Sequence, residues 1–145
     1  MSTQIVLITG GLTGIGRAAA IAFAKKGAKV VVAGRRDKAG KALTQELRPL
    51  GAQAEFINAD VRKEDDVRNM VDQTVDVAVN NAGTEGQGGL ITDQTAESFA
   101  ATFETNVLGV ILSNAGPGQR QHHQHLLDLW PPGRTRCFDH QVGGA

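Results

Sequence analysis

The sequence predicts an α/β fold: the N-terminal part of a doubly wound parallel sheet, incomplete, with an irregular tail. Three observations lead there. Short β-branched runs alternate with stretches whose apolar residues recur at helical spacing, glycines crowd the turn between the first strand and the first helix, and both periodicities stop near residue 114. The expected organisation is one unit over residues 1–113 and a disordered or poorly packed tail over 114–145.

Gln4 to Thr9 (QIVLIT) is a compact β-branched run, and Thr13 to Lys26 repeats apolar residues at helical spacing until Gly27 ends it. Lys29 to Gly34 (KVVVAG) is a second strand of the continuous apolar kind found inside parallel sheets, and Asp37 is the expected N-cap of a helix running to about Leu47. Pro49 and Gly51 stop that helix. Gln53 to Asn58 reads as the third strand, Lys63 to Thr74 as the third helix and Asp76 to Asn80 as the fourth strand, an alternation that argues for right-handed βαβ units and a parallel sheet. After the glycine-rich stretch Gly83 to Gly89, Thr95 to about Leu112 reads as a helix with Phe99, Phe103, Val107, Val110 and Ile111 on one side. One joint is unusual: the third helix runs into the fourth strand without the glycine turn that follows the first two. Either that helix ends early or a piece of chain is missing near Val75.

Composition narrows the partners. Fifteen lysines and arginines balance fifteen aspartates and glutamates, so no broad field attracts nucleic acid or an anionic membrane, and a small molecule is the expected partner. A single cysteine, Cys137, excludes an internal disulfide framework, and no stretch has the length and apolarity of a membrane span or signal peptide. The expected compartment is the cytoplasm; oligomeric state is left open. In the tail, His122, His123, His125, Cys137 and His140 are metal-ligand types, but their spacing matches no structural zinc site, and no metal is expected.

The glycines at 10, 11, 14 and 16 carry the chemistry. A helix N-terminus offers unpaired N–H groups and the positive end of its dipole to an anion, and side chains would hold the anion away. Gly10 allows a tight exit from the strand, Gly14 a close approach of backbone to a pyrophosphate, and Gly16 close packing of helix on sheet, which together outline a dinucleotide site. The spacing Thr9-Gly10-x-x-x-Gly14-Ile15-Gly16, with Asn80-Asn81-Ala82-Gly83 after the fourth strand and Asn106 within Thr105-Asn106-Val107, resembles the short-chain dehydrogenase/reductase family. The resemblance covers residues 1 to about 113 and implies a Rossmann-like fold with strands ordered 3-2-1-4 and NAD(P)-dependent hydride transfer between nicotinamide and a carbonyl or secondary alcohol. It implies a pyrophosphate cradle at Gly10, Thr13, Gly14, Ile15 and Gly16, and Asp60-Val61 against the adenine. It places Asn81, Ala82 and Gly83 along the adenosine and ribose, and makes Asn106 the active-site asparagine that holds a water for proton relay. The second strand ends in Arg35-Arg36 rather than in an acidic residue, which favours NADP, with NAD as the alternative.

The same resemblance exposes a gap. The family's proton donor is a tyrosine whose pKa is lowered by a lysine four residues on, and a serine polarises the substrate oxygen. This chain contains no tyrosine, and its last lysine is Lys63. Ser113 lies too near the helix end to be assigned the serine's role. Shifting Gln121 to Trp130 by one nucleotide permits the translation NIINISSIYG, which resembles the family's fifth strand and serine; the shifted frame supplies no convincing tyrosine further on. The expectation is therefore a truncated or frameshifted relative impaired in catalysis. Two rivals stand beside it: a cofactor-binding or interaction module without chemistry, and a non-functional, partly folded fragment whose fourth strand leaves an open apolar edge.

Overall fold

The computed structural model describes residues 4–72 and 76–114. Four strands, β1 (Ile5–Thr9), β2 (Lys29–Gly34), β3 (Ala54–Asn58) and β4 (Val77–Val79), form one sheet ordered β3-β2-β1-β4, and every pairing is parallel. This is the expected order. The helices α1 (Gly14–Lys25), α2 (Asp37–Leu47) and α3 (Glu64–Val71) supply the crossovers.

Both faces of the sheet are covered, which explains why the strands read as continuous apolar runs rather than alternating ones. Val6, Ile8, Val30 and Val32 point to a core shared with Ala20 and Ala24 of α1 and Leu43 and Leu47 of α2. Their neighbours Leu7, Val31 and Ala33 point the other way, onto Val67, Met70 and Val71 of α3. Because β1 has β2 on one side and β4 on the other, the strand order reverses at β1 and opens a crevice at the carboxyl ends of the strands.

Several boundaries differ from expectation. Arg36, with extended backbone, precedes the first turn of α2; Asp37 lies inside that turn, its carboxylate accepting a hydrogen bond from the Asn58 amide at the end of β3. The carboxylate is thus drawn to the neighbouring strand instead of back to the helix's own N–H groups. Helix α3 begins at Glu64 and stops at Val71, three residues before the expected Thr74, and residues 73–75, where the unusual joint lies, fall outside the described part. Asp76 then ties the chain to β1: its N–H donates to Ile5 O at 2.9 Å, and its carboxylate accepts from Ile5 N at 2.7 Å.

The expected helix from Thr95 to Leu112 is three pieces: α4 (Ala96–Phe103), capped by a reciprocal Thr95–Ser98 box, a π-helical turn over Glu104–Leu108, and α5 (Gly109–Asn114). Its inner side is small, with Gly109 against Val61 and Ser113 buried. The side carrying Phe99, Phe103, Val107 and Ile111 faces solvent, Phe99 and Ile111 each 59% exposed. Val110 departs from that grouping and is half-buried on the inner side. Small residues permit the close approach to Val61, so the helix docks on that side rather than on its bulky one. The tail, with its histidines, Cys137 and frameshift reading, lies outside the described residues.

Candidate functional site

The crevice is built first from the loop between β1 and α1. Thr13 precedes α1 in extended conformation, its side chain makes no capping bond, and no acidic residue occupies the first turn. The positive end of α1 therefore has no anionic side chain of its own to satisfy it. Gly10 and Gly14 hold the left-handed backbone with φ of 62° and 53°, and a Cβ added at Gly14 would meet nothing within 4 Å. Gly16 is required by contact: a Cβ there would lie 2.5 Å from the Asn81 amide nitrogen and 2.6 Å from Gly10 O. Ile15, between them, is 83% exposed.

Two side chains hold this loop to β4. The buried Thr9 hydroxyl accepts the N–H groups of Asn81 at 3.0 Å and Ala82 at 3.1 Å, and lies 3.5 Å from Val79 O. Asn81 returns the bond through its amide, donating to Thr9 O at 3.1 Å and Gly10 O at 3.2 Å. The Asn81 amide is thus taken by the carbonyls of the glycine turn, while Ala82 and Gly83 line the crevice. Thr9 went unassigned in the sequence, although a hydroxyl at the end of an otherwise apolar strand, directly before a glycine turn, is the signal that points to it.

Arg35, Arg36, Asp60 and Val61 complete the wall, with Gly10 and Thr13, around an open crevice of about 680 Å³ including its solvent-facing part. Among the described residues neither Arg35 nor Arg36 makes an ion pair. Asp60 does: Arg62 grips both its oxygens, with Nη2 to Oδ2 at 2.6 Å and Nε to Oδ1 at 3.0 Å. That side-chain hydrogen bonding, aided by the Arg62 N–H and the charges of Arg62 and Arg35, outweighs burial and lowers the Asp60 carboxyl from 3.8 to about 2.

A pH dependence follows. A carboxyl whose folded value lies below its unfolded one contributes stability that is complete above the unfolded value and lost as pH falls through the folded one. The Asp60 contribution is thus lost between about pH 4 and about pH 2. With the Arg62 side chain 35% exposed, solvent screening holds this to on the order of 1 kcal/mol. Thermal melts of Asp60→Asn against the parent should converge as pH drops through that window; parallel melting curves at all pH values would show that the pair adds nothing.

Asn106 sits in the π-helical turn, a local departure from α geometry often found at functional sites. Its amide is engaged on both sides: Nδ2 donates to Thr84 O at 2.8 Å and Oδ1 accepts from Thr84 N at 2.9 Å. It thereby clamps the loop after Gly83 to the π-helical turn. Ser113 is buried in α5 and donates to Gly109 O at 2.7 Å, so its hydroxyl serves its own helix.

A crossover-wound parallel sheet, a glycine loop at an uncapped helix start and an Asn-Asn-Ala-Gly segment bonded to that loop are therefore one assembly. The family model for short chain dehydrogenases matches residues 4–116. The chain belongs to that family.

This short-chain dehydrogenase chain is 39% identical over 134 residues to L-fucose dehydrogenase of Oryctolagus cuniculus, covering 87% of the chain and 46% of that protein. Among solved structures, an actinorhodin polyketide ketoreductase variant with NADPH superposes with a TM-score of 0.73 at 32% identity, over 77% of this chain and 45% of the other. A short-chain dehydrogenase/reductase from Burkholderia phymatum in complex with NAD gives 0.73 at 31% identity, over 78% and 42%. The chain thus spans less than half the length of these relatives. No helix among its described residues is long and apolar enough to cross a membrane.

Proposed function

We propose that this chain binds a nicotinamide dinucleotide, NADP in preference to NAD, and carries out no hydride transfer by itself. The observation behind the proposal is the uncapped start of α1 beside a crevice lined by Gly10, Thr13, Arg35 and Arg36. The space in front of Gly14 fits a group brought close to backbone, as a pyrophosphate requires. Gly10, Thr13, Gly14, Ile15 and Gly16 hold the pyrophosphate, Ala82 and Gly83 flank the adenosine, Asp60 and Val61 wall the adenine, and Arg35 and Arg36 meet the 2′-phosphate. The cofactor would supply the hydride where a proton donor completes the site; this chain's own residues bind and orient it.

The relatives named a dehydrogenase and a ketoreductase support interconversion of carbonyl and secondary alcohol as the reaction class. This chain contains no phenol to pass the proton, and its last lysine, Lys63, immediately precedes α3. The Asn106 amide is engaged by Thr84, and Ser113 by Gly109, so neither side chain replaces the missing acid. The 145-residue chain should enhance reduced-cofactor fluorescence and turn over no carbonyl; turnover by the purified chain would overturn the proposal. Arg35→Asp should raise the Kd for NADPH by about tenfold or more, with a much smaller effect on NADH. Equal losses for the two cofactors would remove Arg35 from the phosphate site.

A further inference from the structure

The arginines at the end of β2 have an acidic neighbour. β2 and β3 run parallel with Gly34 opposite Asn58, and Ala59 N donates to Gly34 O at 3.1 Å. Arg35, which follows Gly34, and Asp60, which follows Ala59, both line the crevice, near enough for the Arg35 charge to act on the Asp60 carboxyl. An ionised carboxylate at that spot attracts Arg35 and repels a phosphate. Its oxygens, however, are already occupied. Arg62 Nε reaches Oδ1 at 3.0 Å and Oδ2 at 3.1 Å, Nη2 reaches Oδ2 at 2.6 Å, and the Arg62 N–H reaches Oδ1 at 3.1 Å.

We propose that Arg62 is a specificity-determining residue: by neutralising Asp60 it leaves Arg35 available to a phosphate on the cofactor ribose. The inference rests on the dinucleotide reading above. Arg62 and Arg35 then both act on the Asp60 carboxylate, with Arg36 on the same crevice wall. Removing Arg62 lowers the local charge and frees Asp60 to compete for Arg35. A 2′-hydroxyl, being neutral, feels this change far less than a 2′-phosphate.

The test titrates NADPH and NADH into the full 145-residue chain, following cofactor fluorescence, for the parent, Arg62→Gln, Arg62→Lys and Asp60→Asn/Arg62→Gln. In Arg62→Gln the NADPH Kd should rise about fivefold and the NADH Kd less than about twofold, with the difference shrinking at high salt. Asp60→Asn/Arg62→Gln removes both charges and should recover the parental preference. Arg62→Lys, which keeps the charge and loses the fork, should retain most of it. Equal weakening of both cofactors in Arg62→Gln would assign Arg62 a purely structural role and overturn the inference. So would a double variant as poor as the single one, or a lysine variant that loses the preference. A parent chain without preference for NADPH fails at an earlier point: it overturns the cofactor reading itself.

Discussion

Gly16→Val is expected to bring NADPH binding below detection and to lower the melting temperature. Two of the three atoms nearest the added Cβ, Gly10 O at 2.6 Å and Gly11 Cα at 3.0 Å, are backbone, and no rotamer change moves them away. The third, the Asn81 amide nitrogen at 2.5 Å, is itself bonded to Thr9 O and Gly10 O. The start of α1 must therefore lift from the glycine loop, and its N–H groups move with it. Each tenfold loss of affinity corresponds to about 1.4 kcal/mol, which a displacement of the whole first turn readily exceeds. Gly14→Ala provides the contrast. No atom lies within 4 Å of its Cβ, so the cost to the fold is the left-handed backbone alone, about 1–2 kcal/mol. Its methyl group enters the open space in front of the helix, so affinity should fall while the melting temperature drops only by what the backbone term costs, about 4–8 °C per kcal/mol. Were Gly16→Val to bind NADPH as the parent does, close packing of α1 on the loop would be irrelevant to the site.

The second large effect is expected at Thr9. Thr9→Val keeps the shape of a residue only 2% exposed and removes the oxygen that accepts the N–H groups of Asn81 and Ala82. An unsatisfied buried donor costs about 1–3 kcal/mol, so two cost about 2–6 kcal/mol out of a total stability of about 5–15 kcal/mol, with these part-buried N–H groups toward the lower end. The melting temperature should drop by roughly 10 °C or more. Thr9→Ser, which retains the oxygen, should recover most of the loss. An unchanged melting temperature in Thr9→Val would show that the hydroxyl holds nothing together. Affinity should fall with stability, because the same bonds seat the Asn81–Gly83 segment beside the glycine turn.

Much of the fold was legible because it depends on local pattern. The β-branched runs at Ile5–Thr9 and Lys29–Gly34 are buried on both faces, and a strand with no solvent face has no reason to alternate. Gly10, Gly14 and Gly16 were equally legible, since backbone conformation and close contact leave their mark directly as missing side chains. The long helix after Thr95 was less so. Its apolar residues fall at helical spacing, but period alone does not say which side docks; the π-helical turn at Glu104–Leu108 and the small inner residues Gly109 and Ser113 decide that.

The sequence by itself determined alternating strands and helices, hence a parallel α/β sheet, and a glycine loop before the first helix, because each follows from patterns among residues close in the chain. The order 3-2-1-4, which joins residues about 70 apart, came only with the family resemblance those motifs carry. Only the tertiary structure decided that Asn81 braces the glycine turn rather than facing the crevice, that Asn106 clamps Thr84, and that Arg62 answers the acid beside Arg35. The Asn81 and Asn106 bonds join residues far apart in sequence, and Arg35 meets Asp60 only because β2 and β3 end together. A hydrogen bond of that kind has no signature until the sheet has brought its partners within reach.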